Sequence, residues 1–328
     1  MHGVSDPLVD ALLAATRVAA KVCIRVQTES TLSGVPEAKT GDEPVTIADY
    51  AAQAILLRTI ARVAPSHAIL AEESSAHLRG QGESTRSRVR DLVADALCES
   101  LTFDAVCALI DHAGAESPFA WAIDPIDGTR GFIRRDQYCV AVALLERGVP
   151  LLGVLACPNL AVDSRSNAGP KGVLFVARRG AGAWSEPLAG GPRARIHVRD
   201  ITDPTAMRIL ASVETAHGDP ALIDRVVHDL HLGGMVRIDS QVKYGALARG
   251  DAEFYVRPRN RPERRENVWD HAAGVLMVEE AGGKATDLDG KPLDFSTGRK
   301  MLHNRGVLVS HGPWHDKLLD SLRRAEAR

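Results

Sequence analysis

The chain has 328 residues, 45% of them hydrophobic and 25% charged, with a formal net charge of −2. That balance fits a soluble globular enzyme of about two lobes. It excludes a globally basic binder of nucleic acid or membrane, so any anionic ligand must be met by a local site. Five scattered cysteines (Cys23, Cys98, Cys107, Cys139, Cys157) with no CxxC pair argue against a disulfide frame or zinc site and fit reduced thiols in a cytoplasmic protein.

In chain order, apolar residues over 8–26 recur at helical spacing and predict an amphipathic helix. Asp10 and Arg17 interrupt it and no positive segment precedes it, so it is not a signal peptide. The polar stretch 27–43 reads as a loop. Thr46 then opens a second helix with Ala52, Ile55, Leu56, Ile60 and Val63 on one face, ended by Pro65. Residues 68–71 are a short strand running into Glu72 and Glu73. Residues 79–91 read as a charged surface segment, 92–110 as one helix, and 119–123 as a strand entering an acidic motif. Residues 138–145 and 151–156, split by Arg147-Gly148, form an antiparallel hairpin.

The polar stretch 158–171 marks the expected boundary between lobes 1–160 and 161–328. After it, strand-like pieces (173–177, 208–213, 235–238, 252–256) alternate with helical ones (220–230, 241–249, 269–281), as in an α/β lobe. No run approaches the ~20 apolar residues of a membrane-spanning helix.

The chemistry gathers at Asp124-Pro125-Ile126-Asp127-Gly128-Thr129. Asp124 ends a strand and Asp127 follows a Pro-bearing bend, which turns two carboxylates and the Ile126 carbonyl to one side. Hard divalent cations take such oxygen ligands, and Mg²⁺ commonly adds waters and substrate phosphate oxygens. Gly128 lets backbone approach a ligand closely, and a helix opened by Thr129 would offer free N–H groups to a phosphate. A bare acid-capped turn explains the same six residues. Glu72, Asp270 and Asp49 stand at comparable junctions, although Thr46-x-x-Asp49 also reads as a capping box and Asp270 as a helix-start acid. Carboxylates brought together in one place would repel unless metal neutralised them.

Several segments together resemble the 3′(2′),5′-bisphosphate nucleotidase branch of the lithium-sensitive inositol-monophosphatase superfamily. They are Pro44-Val45-Thr46-Ile47-Ala48-Asp49, Ala71-Glu72-Glu73-Ser74, Asp124 through Thr129, Asp239-Ser240-Gln241-Val242-Lys243-Tyr244-Gly245, Trp269-Asp270-His271 and Glu280-Ala281-Gly282-Gly283. The acidic motif carries the superfamily, and the 239–245 segment with Asp136-Gln137-Tyr138 carries the branch.

The resemblance implies a layered αβαβα sugar-phosphatase sandwich, with an α+β N-terminal lobe and an α/β C-terminal lobe. It implies a Mg²⁺-dependent phosphomonoesterase that removes the 3′-phosphate of adenosine 3′,5′-bisphosphate and acts on the related phosphosulfate. Two or three Mg²⁺ ions are expected: the first on Glu72, Asp124 and the Ile126 carbonyl, the second on Asp124, Asp127 and Asp270, a third between Asp49 and Glu72. Asp49 and Thr129 would pair to orient and deprotonate the attacking water. Gly128 and Thr129 would hold the phosphoryl group, and His217, Ser240, Lys243 and Arg257 the nucleotide. Inhibition by Li⁺ also follows.

Ser240 reads equally as a helix N-cap. Without the resemblance, Arg257 reads as a solvated surface residue and His217 as an exposed loop histidine. Two features depart from the pattern. Gly41 and Glu43 stand where relatives carry Asp and Ser, and the segment 257–265 is unusually basic. That segment is read as a solvated loop and not as a nucleic-acid site. The expected protein is monomeric, with a small-molecule nucleotide as its partner and neither nucleic acid nor membrane. The rival readings are an inositol phosphate or fructose 1,6-bisphosphate phosphatase of the same superfamily, and a non-catalytic nucleotide or metal sensor.

Overall fold

A computed structural model describes residues 4–29, 37–38, 44–164, 169–213, 219–258 and 265–326. The described residues form five layers, and side-chain alternation along the strands explains why.

Helix α1 (Asp6–Glu29) is followed by a two-residue ribbon, β1 (Glu37–Ala38) with β2 (Pro44–Val45), and then by α2 (Ile47–Val63). Both helices pack on one face of a seven-stranded sheet ordered as in the chain: β3 (Ala68–Ala71), β4 (Phe119–Asp127), β5 (Cys139–Glu146), β6 (Val149–Ala161), β7 (Lys171–Arg178), β8 (Gly182–Pro187) and β9 (Ala194–Ile196). Strands β3 and β4 run parallel and the rest are antiparallel. Between β3 and β4 lie α3 (Ser75–Arg79), α4 (Glu83–Leu97) and α5 (Phe103–Ile110), and α6 (Thr129–Ile133) follows β4.

The second sheet has the order β11-β10-β12-β14-β13, from β10 (Arg208–Ala211), β11 (Gly234–Arg237), β12 (Phe254–Arg257), β13 (Lys284–Thr286) and β14 (Val307–Ser310). Helices α8 (Val242–Ala248) and α9 (Ala272–Glu280) lie between the sheets, while α7 (Pro220–Asp229) and α10 (His315–Glu326) cover the far face.

Successive strand residues point to opposite faces, so β5 sends Val140, Val142 and Leu144 towards α1 and α2, and Cys139, Ala141, Ala143 and Leu145 towards α8 and α9. In β12, Tyr255 faces that middle layer while Phe254 and Val256 face the outer core. The middle layer is thin because small residues line it. A Cβ on Gly153 of β6 would stand 2.8 Å from the Ala273 carbonyl of α9. This is the αβαβα sandwich expected from the resemblance.

Three local expectations change. The charged stretch 79–91 is largely helical, since α4 uses Val89, Leu92 and Val93 as its buried stripe. The single helix expected over 92–110 is two: Cys98 ends α4 in the left-handed region (φ 53°), and the Thr102 hydroxyl caps α5 by accepting from Ala105 N–H at 3.2 Å. The stretch proposed as a lobe boundary lies within one sheet, where β6 continues to Ala161 and pairs with β7, and the chain changes sheet only after β9. The far C-terminal elements β13, β14 and α10 had no counterpart in the sequence reading. Among the described residues no helix is long and apolar enough to cross a membrane.

Helix α10 is anchored by a buried histidine. The Thr286 hydroxyl donates to the Asp287 carbonyl (2.8 Å), so its oxygen accepts from His315 Nε2–H (2.9 Å). His315 Nδ1 then accepts from the Ser310 hydroxyl (2.8 Å), whose oxygen takes Gly312 N–H (3.1 Å). This pattern needs the neutral ring, and burial, helped by the Lys284 charge against that of Asp316, pushes its pKa down to about 4. A histidine held below its unfolded value contributes stability above that value and loses it as pH falls from about 6.5 to about 4. Thermal melts across that window should show a loss that His315→Gln, which keeps one donor and one acceptor but cannot titrate, reduces. Superimposable profiles for the two proteins would rule this anchor out as an acid-sensitive element.

Candidate active site

The acidic residues converge because parallel pairing of β3 with β4 sets Ala71 beside Ile123. Glu72, whose N–H donates to the Ile123 carbonyl (3.1 Å), is therefore carried next to Asp124. Strand β4 then bulges: Asp124 pairs with Ala141 and Asp127 with Cys139, three residues against two. A bulge of this kind re-aims side chains. Asp124 Oδ1 accepts the Ile126 N–H at 3.1 Å across the bend. Gly128 follows at φ +90°, and a Cβ there would lie 2.9 Å from that of Ser240, so the two sheets' loops meet at a position only glycine fits.

The opposite wall comes from the loop before α8, from β12 and from the turn before α9. Together they enclose a cleft of about 900 Å³, open space at its mouth included. Of the residues singled out in the sequence, Glu72, Asp124, Ile126, Asp127, Gly128, Thr129, Ser240, Lys243, Arg257 and Asp270 all line it. His217 lies outside the described residues, as do Arg259 to Arg264 of the basic segment.

The cleft carries both signs of charge. Glu72, Asp124, Asp127 and Asp270 line it together with Asp239. Asp124 is held well above the usual carboxylate range by burial first, then by Glu72, Asp127 and Asp270. Burial also raises Asp127, against the lowering influence of Lys243 and of the Gln241 N–H, and raises Asp270 to about 6. An all-oxygen donor set whose charges destabilise one another fits a hard divalent cation, which would relieve that repulsion.

Lys243 and Arg257 supply cations in the same cleft, where both act on Asp127 and Arg257 acts on Asp270 as well. Lys243 is 2% exposed, donates to the Ile238 carbonyl (3.1 Å) and sits 5.1 Å from the centre of the Tyr255 ring. Burial lowers its pKa to about 8. Arg257 is half-buried, its side chain 14% exposed, and not a solvated surface residue, and its Nε pairs with Glu266 at 2.7 Å. Glu266, Asp270 and His271 approach one another closely, but Glu266 Oε2 already serves Arg257 and His271 Nε2 (3.2 Å).

Two expected roles meet a different arrangement. Asp49 is buried in the first turn of α2, and its Oδ2 accepts from the Thr46 N–H (2.8 Å) and hydroxyl (2.7 Å), a capping box. The Thr129 hydroxyl donates to the Ile126 carbonyl (3.2 Å) and is not paired with Asp49. Ser240, in the left-handed region (φ 64°), takes the Val242 N–H on its hydroxyl at 3.2 Å while lining the cleft; the N-cap of α8 is not Ser240, as expected, but Gln241, one residue on.

Several further residues line the cleft. Tyr255 stands two positions before Arg257, and strand alternation puts such residues on one face. Asp239, Gln241 and Tyr244 belong to the same short segment as Ser240 and Lys243. Asp239 ties the two lobes together by accepting from Arg134 (2.5 Å) and from Val213 N–H (3.0 Å). Asn267, which donates to Asp270 at 3.2 Å, carried no signal beyond its place three residues earlier.

A model of the inositol monophosphatase family matches residues 6–327. A 3′(2′),5′-bisphosphate nucleotidase of Oryza sativa is 39% identical over 331 residues, covering 95% of this chain and 92% of that protein. One of Schizosaccharomyces pombe is 33% identical over 299 residues, covering 86% and 84%. Among solved structures, extragenic suppressor protein suhB from Bartonella henselae superimposes with a TM-score of 0.68 over 97% of this chain and 99% of its own, at 19% identity. An inositol monophosphatase from Thermotoga maritima gives 0.67 over 97% and 98%, also at 19%. At such identities the structural likeness speaks for the fold.

Proposed function

Because this chain belongs to the inositol monophosphatase family, we propose that it is a Mg²⁺-dependent phosphomonoesterase hydrolysing the 3′-phosphate of adenosine 3′,5′-bisphosphate to AMP and phosphate. The observation that carries the reading is the meeting of four carboxylates with Lys243, Arg257 and Tyr255 in one cleft. A nucleoside with one ribose phosphate to be cleaved, a second, spectator ribose phosphate and a flat base matches that set of groups. The relatives named as bisphosphate nucleotidases support the same substrate, and the adenosine phosphosulfate is its close analogue.

In this reading Glu72, Asp124 and the Ile126 carbonyl hold a first cation, and Asp124, Asp127 and Asp270 a second. Asp49 and Glu72 hold a third where three are bound. When bound, such ions neutralise phosphate charge and bring the pKa of water within reach of neutral pH. Asp49 and Thr129 orient and deprotonate the attacking water. The Thr129 hydroxyl, which donates to the Ile126 carbonyl in this structure, would exchange that partner for the water and Asp49. Gly128 and Thr129 hold the phosphoryl oxygens at the start of α6. Ser240, Lys243, Arg257 and His217 hold the nucleotide, Arg257 being suited to a bidentate phosphate contact. The lobes follow the two sheets. A cytoplasmic, monomeric protein without nucleic-acid or membrane partners completes the proposal, and its five free cysteines agree with a reducing compartment.

The test is phosphate release with Mg²⁺ from a panel: adenosine 3′,5′-bisphosphate, its phosphosulfate, inositol phosphates and fructose 1,6-bisphosphate. The adenosine bisphosphate should be the preferred substrate. Silence on it alongside turnover of inositol phosphates would move the chain to another branch of the family.

Lys243 gives a second check. Its charge is present below about 8 and lost above, so kcat/KM, which reports the free enzyme, should fall as pH rises through about 8. Lys243→Arg should carry that fall to higher pH. An unchanged alkaline limb in this variant would remove Lys243 from substrate binding.

A further inference from the structure

We infer that Gln241 is a positioning residue that fixes Asp127 and Asp270, contributed by different layers, at the spacing one cation requires. The inference rests on the proposed role of those two acids as metal ligands. Gln241 is 1% exposed and sits just after the left-handed kink at Ser240. Its backbone N–H donates to Asp127 Oδ2 at 2.6 Å, a short charge-assisted bond that sets the orientation of that carboxylate. Its side chain reaches the turn before α9. Nε2 donates to the Trp269 carbonyl (2.9 Å), and Oε1 accepts the Gly274 N–H (3.2 Å).

Trp269 precedes Asp270, and Gly274 lies in the first turn of α9. The amide therefore spans the turn that presents Asp270, while the backbone of the same residue grips Asp127. The two acids need such a tie. Asp127 belongs to the seven-stranded sheet and Asp270 to the turn before α9, and each carboxylate disfavours charge on the other. One residue bonded to both supports offsets that repulsion through hydrogen bonds with no apolar substitute. Partners that orient metal ligands typically carry 10–100-fold in affinity or activity, about the effect expected here.

The experiment is a Mn²⁺ titration of the full chain followed by electron paramagnetic resonance, comparing wild type, Gln241→Met and Gln241→Asn. Methionine keeps the bulk without the two bonds, and asparagine keeps the amide but is one methylene too short to span Trp269 and Gly274. Both variants should bind Mn²⁺ on the order of 10-fold more weakly or worse. Their kcat should recover as Mg²⁺ is raised, with KM for the nucleotide at saturating Mg²⁺ unchanged. Wild-type Mn²⁺ affinity in both variants would overturn the assignment. So would loss of a cooperative melt in both, because Gln241 would then hold the whole fold together and not the site. If the wild type itself binds no Mn²⁺, the metal reading fails first and takes this inference with it.

Discussion

Asp124→Asn is expected to lower turnover by about 10³-fold or more, roughly 4 kcal/mol of barrier, while making the metal-free protein more heat-stable. Both effects have one cause. Asp124 is 3% exposed and faces Glu72, Asp127 and Asp270, and burial is the largest influence holding its carboxyl well above the ordinary range. An acid raised in this way favours the folded state below its unfolded value near 4, and that contribution is lost as pH climbs through the folded one. At neutral pH the metal-free wild type therefore carries strain that asparagine removes. The substituted amide can still accept the Ile126 N–H through its remaining oxygen, so the bulge keeps its shape.

In the proposed scheme Asp124 would serve both cations, and removing a direct ligand should cost more than the 10–100-fold of an outer partner. Melting curves with and without Mg²⁺ at pH 7.5 give the check. Mg²⁺ should raise the wild-type midpoint, as any ligand of the native state does, and raise that of Asp124→Asn little or not at all. A variant that kept both turnover and the Mg²⁺-induced shift would remove Asp124 from the metal site.

The acidic half of the site was legible because its parts are local. A strand, a Pro-bearing bend and a glycine place Asp124, Asp127 and Gly128 within five residues, and Glu72 follows a recognisable short strand. Thr46 marked the start of α2 by its capping chemistry, and the structure retains that cap. What could not be read is how distant segments meet. Arg257 looked like a surface residue because its partner Glu266 lies across a segment that periodicity does not cover. The break at Cys98 escaped because the apolar pattern on either side is helical, and no Gly or Pro marks the left-handed residue. Strand β6 passed for a boundary because its end carries Pro158 and Asn159, tolerated here where the register with β7 shifts between Cys157 and Ala161. The meeting of acids and cations in one cleft was invisible for the same reason, since it exists only once the α8 loop crosses to the end of β4.

Asp49 poses the sharpest question left by the site, because two chemistries claim one carboxylate. Its Oδ2 closes the capping box with Thr46, and the scheme also gives it the proton of the attacking water. The claims separate by mutation. Thr46→Ala removes the hydroxyl cap and leaves the carboxylate, so it should cost about 1 kcal/mol of stability with turnover close to wild type. Asp49→Asn keeps an amide oxygen for the Thr46 N–H but cannot accept a proton at neutral pH. It should lose turnover by about 10²–10⁴-fold, the usual worth of a positioned general base, and still bind the nucleotide. Matched stability and turnover losses in the two variants would reduce Asp49 to a helix cap. Unaltered nucleotide binding with no turnover in the wild type would instead favour a sensor. A large kcat loss confined to Asp49→Asn fits only an enzyme whose buried cap has been turned to catalysis. Burial then serves both ends, because a carboxylate fixed by Thr46 at 2.7 Å has little conformational freedom left to lose when it meets its water.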